Sequence, residues 1–326
     1  MPLVGNSNAV VKKPQTSRNL KTLDRLLQIA ENCEESVFQN NDEYLKFKGQ
    51  KNTSSWDIEA LLYRLHPLDY PEEKIYWNKR ALEEKVGVKE LRNVFLYNLA
   101  GIYLNLGEYE LVLEYGQKPM KWLDSFKEKL GIQTVYCLMD CLIVASRQLK
   151  RFEESIVYAK ESLKVIVKSY NSGESVNEDK TPIKELDLLL CYMSLIDSQI
   201  RCKHFEDALK SFKKVKLFKL DSLDPHDVND SMTQFAANFG ASVFCSYFNV
   251  IGNLCLLKSQ AFYGLGNKHN GRWWSTFAMD ICLNLQQKTK SIIGQNNCLP
   301  SQLDQGLLYL DGCNSQKYLH QDQAYF

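Results

Sequence analysis

The sequence predicts an all-α protein, a right-handed α-solenoid of antiparallel helical hairpins, and three observations carry that reading. A chain of 326 residues holds only 16 glycines and 8 prolines, too few breakers for many short strands joined by tight turns. Apolar residues recur at three- and four-residue steps along most of the chain, which lines one face of a helix. One short turn motif is written three times, as Gly107-Glu108-Tyr109-Glu110, Lys150-Arg151-Phe152-Glu153-Glu154-Ser155 and Lys203-His204-Phe205-Glu206-Asp207-Ala208.

The elements follow in order. Leu20, Leu23, Leu26, Leu27 and Ala30 share a face and predict a helix from Asn19 to about Phe47. Gly49 to Ser55 is a polar break, with Ser55 placed to cap the helix that starts at Trp56. Pro67 and Pro71 bound a loop, a helix covers about Glu72 to Glu84, and Gly87 ends it. A helix over about Val88 to Leu106 presents Leu96, Leu99, Ala100, Tyr103 and Leu106 on one side. Gly107 then permits a left-handed turn. The return helix starts at Tyr109, Val112 and Leu113, and Pro119 should end or kink it. A second hairpin runs from Val135-Leu138-Met139-Leu142-Ile143, through Lys150-Arg151-Phe152, to Ile156-Ala159-Leu163-Ile166. A third spans about Ile183 to Phe218, turning at Lys203-His204-Phe205. A further hairpin joins Phe244–Gly264 to Trp273–Leu285 through Leu265-Gly266-Asn267. The expected organisation is therefore a disordered tail over 1–18, a helical-repeat domain over 19–285 with a flexible insert near 169–181, and a C-terminal cap or disordered tail over 286–326.

In each copy of the turn motif an aromatic, Tyr109, Phe152 or Phe205, is followed one helical turn later by Val112, Ser155 or Ala208. The expectation is that the aromatic wedges between the two helices of its hairpin and the smaller residue lets them approach. Leu99, Ala100, Tyr103, Gly107, Tyr109 and Val112 resemble the tetratricopeptide repeat at that family's Leu, Gly/Ala, Tyr, Gly, Tyr and Ala positions. The three aromatics stand 43 and 53 residues apart, against a family period of ~34, so insertions or elongated helices are expected. The stretch Phe95–Ile166, through Tyr97-Asn98, Leu104-Asn105-Leu106, Gly116-Gln117-Lys118, Phe126-Lys127-Glu128-Lys129 and Cys137-Leu138-Met139-Asp140, is also similar to the N-terminal repeats of the tetratricopeptide subunit, subunit ten, of the CCR-NOT deadenylase complex. That resemblance implies a non-catalytic scaffold that docks with other protein subunits in mRNA decay and translational repression. A cytosolic peptide-binding adaptor of chaperone or trafficking type is the alternative.

Formal net charge is +1, so the whole chain exerts no pull on nucleic acid or anionic membrane, and direct nucleic-acid binding is not expected. Neither a signal-peptide core nor a window of ~18 apolar residues is present, so no membrane association is expected and the compartment is cytoplasm, nucleus or both. The ten cysteines include no CxxC pair and lie mostly in apolar runs, which reads as reduced core residues.

No pattern carries catalysis, a metal or a cofactor. Cys137 and Cys141 share a helix face, but a zinc site needs two more ligands and none stands nearby in the sequence. The five histidines have no paired spacing, and GxSxG, GxxxxGK[ST] and GxGxxG are absent. The candidate partner-binding residues are of three kinds. Tyr97 and Asn98 fall on a first helix, and Asn98 matches a family asparagine. The equivalent positions in the next hairpin include Cys137 and Cys141, which cannot supply the charge of a carboxylate clamp. Lys210, Lys213 and Lys214, with Lys216 and Lys219, form a basic run that reads as a solvated face or as a patch for an acidic partner or RNA backbone. In Arg272-Trp273-Trp274, side chains ~100° apart on a helix put one tryptophan in the core and leave the other as a candidate hot spot.

Overall fold

The computed structural model describes residues 17–50, 53, 55–66, 68–83, 89–120, 123–171, 181–215 and 241–295. Lys216, Phe218, Lys219, the loop Asp221–Asn229, Gly87, most of the expected insert and both expected tails lie wholly or largely outside them. Among the described residues there are thirteen helices and no strand. The chain divides into two compact units, and the division falls between Tyr158 and Ala159.

The first unit begins with α1 (Ser17–Ala30), α2 (Glu35–Gln39) and α3 (Asp42–Lys48). The single helix expected over 19–47 is thus three, and asparagines set its breaks. The Asn32 and Asn40 side chains donate to the carbonyls of Gln28 and Ser36 at 2.6 and 2.8 Å. The Asn41 Oδ1 accepts from the backbone of Glu43 and Tyr44 at 3.0 and 3.2 Å, an N-cap for α3. Short amide side chains compete with the helical ladder in this way and favour helix ends. Leu23, Leu26 and Ala30 pack with Phe38, Tyr44 and Phe47 in one core. That core also takes Ile58, Leu61 and Leu65 from α4 (Ser55–Leu65), and Trp77 and Ala81 from α5 (Pro71–Glu83). Pro71 opens α5, where its missing N–H costs nothing and its fixed φ suits the helix.

Antiparallel hairpins make up the rest. α6 (Lys89–Asn105) returns as α7 (Tyr109–Met120), and α8 (Leu123–Gln148) as α9 (Phe152–Asn171). In the second unit α10 (Thr181–Arg201) returns as α11 (Phe205–Lys214), and α12 (Ala241–Gly264) as α13 (Lys268–Gln295). Pro119 lies in the last turn of α7, as expected. The wide spacing of the repeats arises because α8, α9 and α10 are long, at 26, 20 and 21 residues. The last helix runs to Gln295 rather than stopping at Leu285, so the first part of the expected tail is helical.

All four turns share one geometry. Gly107, Lys150, Lys203 and Gly266 have φ of 75°, 60°, 62° and 75°. Each donates its N–H to the carbonyl three residues back, and the next residue donates to the carbonyl five back. The pairs are Gly107 to Leu104 and Glu108 to Tyr103, Lys150 to Arg147 and Arg151 to Ser146, Lys203 to Ile200 and His204 to Gln199, and Gly266 to Tyr263 and Asn267 to Phe262, all at 2.8–3.1 Å. These bonds satisfy carbonyls that a helix end leaves without partners, in the Schellman arrangement. The sequence motif shows three copies, and the backbone shows four. In the fourth, Lys268 takes the place of the aromatic and Gly271 that of the small residue.

Candidate interaction surface

The repeat-packing residues divide by depth. Leu99, Ala100, Val112 and Ser155 are completely buried, and Tyr103 and Ala208 nearly so. Tyr103 stacks on Tyr115 across the α6–α7 hairpin with ring centroids 5.6 Å apart. The turn aromatics Tyr109, Phe152 and Phe205 are only half-buried. Phe205 reaches the next hairpin. Its ring lies directly against Gly264 at the end of α12, so closely that a Cβ there would fall 2.4–2.5 Å from three ring carbons. The turn aromatic of one hairpin therefore seats the next. A similar fit occurs at Gly271, where a Cβ would meet the Tyr263 ring at 2.9–3.0 Å.

On α6 the candidates Tyr97 and Asn98 are half-buried. The Asn98 amide donates to the side-chain Oδ1 of Asn78 on α5 at 3.4 Å, so part of its polar capacity joins two helices. Burial, then the thiols of Cys137 and Cys141, raises the Tyr97 hydroxyl above its ordinary range. The structure thus brings Tyr97 up to the cysteine pair of α8. Burial, with Asp140 and Cys137, pushes the Cys141 thiol up to about 12. A thiol held protonated through the neutral range is the opposite of an activated nucleophile or thiolate ligand.

In the second unit α11 has two unlike faces. Lys210, Lys213 and Lys214 are exposed, whereas Ala208, Ser211 and Phe212 are buried. Lys210 pairs with Asp207 at 3.0 Å. The inner face leads to the tryptophans of α13. Trp274 is 6% exposed, with its ring 6.1 Å from that of Phe212. The ammonium of Lys258 on α12 sits over both rings, 3.7 Å from Trp274 and 4.6 Å from Phe212, a cation–π clasp joining three helices. Trp273 meets Trp274 edge-on at 4.7 Å but is 43% exposed, and it stacks on Phe277 at 5.3 Å. Met279 and Leu283 are exposed farther along the same helix.

One polar constellation escapes sequence reasoning. Glu73, in the first turn of α5, is buried between α2 and α3. Its carboxylate accepts from the Tyr44 hydroxyl and stands 3.0 Å from the Lys48 ammonium, while its backbone N–H donates to Glu35 at 2.8 Å. Trp77 Nε1 donates to the Tyr44 oxygen at 2.8 Å. Arg80 donates to the carbonyls of Lys48 and Gln50 at the end of α3 and lies 5.0 Å over Trp77. Burial, reinforced by the Glu35 carboxylate, pushes Glu73 up to about 7. The knot fastens α3 to α5. An acid in a helix's first turn is the only sequence signal for it, and such acids ordinarily sit in solvent.

No described helix is long and apolar enough to cross a membrane. No protein-family model matches the chain, and none of the curated proteins matches it. Among solved structures it is similar to BtubC (BKLC) from P. vanneervenii, at 14% identity and a TM-score of 0.38, over 89% of this chain and 96% of that one. It is similar also to the apo form of RapI, at 14% identity and a TM-score of 0.40, over 83% of this chain and 99% of that one.

Proposed function

We propose that the chain is a non-catalytic helical-repeat scaffold that holds other proteins. The observation that carries this reading is the fourfold recurrence of one hairpin turn, each copy closing its helix end with the same pair of hydrogen bonds. Paired hairpins of this kind bury their apolar faces and leave other helix faces free for partners. The perturbed groups support the reading too. The Cys141 thiol is held protonated, and Glu73 is tied into a helix–helix joint. Trp273, Met279 and Leu283 on α13 are exposed apolar side chains suited to anchor a partner.

The finer assignment is a subunit of the CCR-NOT complex acting in mRNA decay and translational repression in the cytoplasm, with the nucleus also open. It rests on the resemblance over Phe95–Ile166. Affinity purification of the tagged chain with mass spectrometry tests it. Recovery of deadenylase subunits supports it, and their absence among recovered partners overturns it while leaving the scaffold reading in place. The second reading, a peptide-binding adaptor, is favoured by the partial exposure of Tyr97 and Asn98 on α6. It predicts a short linear peptide ligand whose affinity falls on Tyr97→Ala or Asn98→Ala.

A further inference from the structure

The charge on the second unit is laid out in two rows. On α9, Lys160, Lys164 and Lys168 recur every four residues and are all exposed. That spacing advances each side chain by ~40° around the helix, so the three lie along one face spanning ~12 Å. Val167, 39% exposed, lies on the same face. On α11 the exposed lysines are Lys210, Lys213 and Lys214, with Lys203 in the turn before the helix. α9 packs on α10, where Ser162 Oγ lies 3.4 Å from Cys191 Sγ, and α10 returns as α11, so the two rows stand on either side of one helix. Asp207 of α11 is lowered chiefly by its hydrogen bond to Lys210, and Lys160 on α9 lowers it further.

Two of these lysines are spent locally, Lys164 on Glu161 and Lys210 on Asp207. Among the described residues, Lys168, Lys213 and Lys214 have no ion-pair partner. Within the second unit these lysines therefore leave positive charge unneutralised on α9 and α11, in a chain whose formal net charge is only +1. Carboxylates interleave with the lysines at Glu161, Glu206 and Asp207. A nucleic-acid backbone, with its even charge, would meet those carboxylates, and among the described side chains neither row has an exposed aromatic on which a base could stack. A protein segment can instead space its own carboxylates to meet Lys168, Lys213 and Lys214 and lay an apolar side chain on Val167.

We propose that the paired lysine rows of α9 and α11 form a docking surface for an acidic segment of a partner protein. The proposal rests on the scaffold reading and names the chemistry of one partner.

The test uses the full chain and fluorescein-labelled polyglutamate, read by fluorescence anisotropy, with labelled polyuridylate as the competing class. The variants are Lys160→Glu/Lys164→Glu/Lys168→Glu and Lys213→Glu/Lys214→Glu, with Lys46→Glu/Lys118→Glu in the first unit as the control. Circular dichroism confirms that each is folded. The expected result is salt-sensitive polyglutamate binding, weakened about tenfold or more by either second-unit variant, ~1.4 kcal/mol, and unchanged in the control. Absence of polyglutamate binding overturns the proposal, as does equal binding by all variants, or tighter binding of polyuridylate at the same salt. Affinity purification with the same variants separates this from the scaffold reading. If the wild-type chain recovers partners and the lysine variants recover them equally, the docking surface fails and the scaffold stands. If the wild-type chain recovers none, the scaffold reading fails.

Discussion

Replacing Gly264 with alanine puts a methyl group where the Phe205 ring now lies. The new carbon would stand 2.4–2.5 Å from three ring atoms, and carbons in favourable contact are ~3.5–4.0 Å apart. The overlap of about 1 Å leaves two outcomes. Either the helices shift, at ~1–3 kcal/mol for overpacking, or the half-buried ring swings out and loses part of the ~1.5–3 kcal/mol of a buried phenylalanine. Alanine recovers up to ~1 kcal/mol of helix propensity, and less than that in the last turn. The net loss expected for Gly264→Ala is about 1–2 kcal/mol. Phe205→Ala should cost a similar amount by removing the contact. In the double variant nothing opposes the methyl group, so Gly264→Ala becomes neutral or stabilising and the coupling is about 1–3 kcal/mol. Urea unfolding of the four proteins, followed by circular dichroism at constant m-value, measures it. Equal effects of Gly264→Ala with and without the ring would refute the claim that Phe205 seats the neighbouring hairpin.

Three further outcomes are expected. Glu73 titrates at about 7 in the folded chain and at an ordinary 4.5 when unfolded, so between those values the folded state holds the extra proton. Stability is therefore greatest below pH ~4.5 on this account and declines as pH rises through ~7, by on the order of 3 kcal/mol; Glu73→Gln should flatten that decline in melting temperature, and an unchanged slope would contradict the assignment. Asn41→Ala removes the cap of α3 and should cost ~1 kcal/mol in urea unfolding, whereas Asn41→Asp should keep most of it. Gly107→Ala meets no neighbouring atom, so its cost of ~1–2 kcal/mol would measure the left-handed backbone alone.

The hairpins were legible because their signals are local. Gly107 and Gly266 announce a turn by their residue type, and Lys150 and Lys203 could be placed only by lining up the aromatic two residues later. The breaks after Ala30 and Gln39 were hidden because Leu23, Leu26, Phe38 and Phe47 keep apolar residues coming at helical spacing. Asn32 and Asn40 end those helices, and in the sequence the apolar periodicity runs straight across them. The end of α13 was misplaced for the converse reason, since Gln286 to Gln295 is too polar to show a period and is helical nonetheless. The Glu73 knot could not be read at all. Its partners Lys48, Tyr44 and Glu35 lie 25, 29 and 38 positions away, and only the tertiary fold gathers them.

Lysine stands in two of the four left-handed turn positions, and its chemistry explains why it is tolerated there. A non-glycine residue in this conformation costs ~1–2 kcal/mol. A positive charge at a helix C-terminus recovers ~0.3–1 kcal/mol from the helix dipole. The first lysine turn doubles the charge, as Lys150-Arg151, and the second continues with His204, whereas the glycine turns continue with Glu108 and Asn267. Arg151 is also held to Glu110 of α7 at 2.9 Å, so its guanidinium bridges two hairpins beside the turn. The strain still exceeds the electrostatic gain, and glycine loses ~0.5–1 kcal/mol of its own through the freedom of the unfolded chain. Lys150→Gly and Lys203→Gly should therefore each stabilise the protein by no more than about 0.5 kcal/mol at low salt. The gain should grow toward ~1 kcal/mol in molar salt, where screening removes the dipole contribution that lysine alone enjoys. Parallel urea titrations at the two ionic strengths decide it. A gain that is large at low salt and independent of ionic strength would show that backbone strain alone governs these turns.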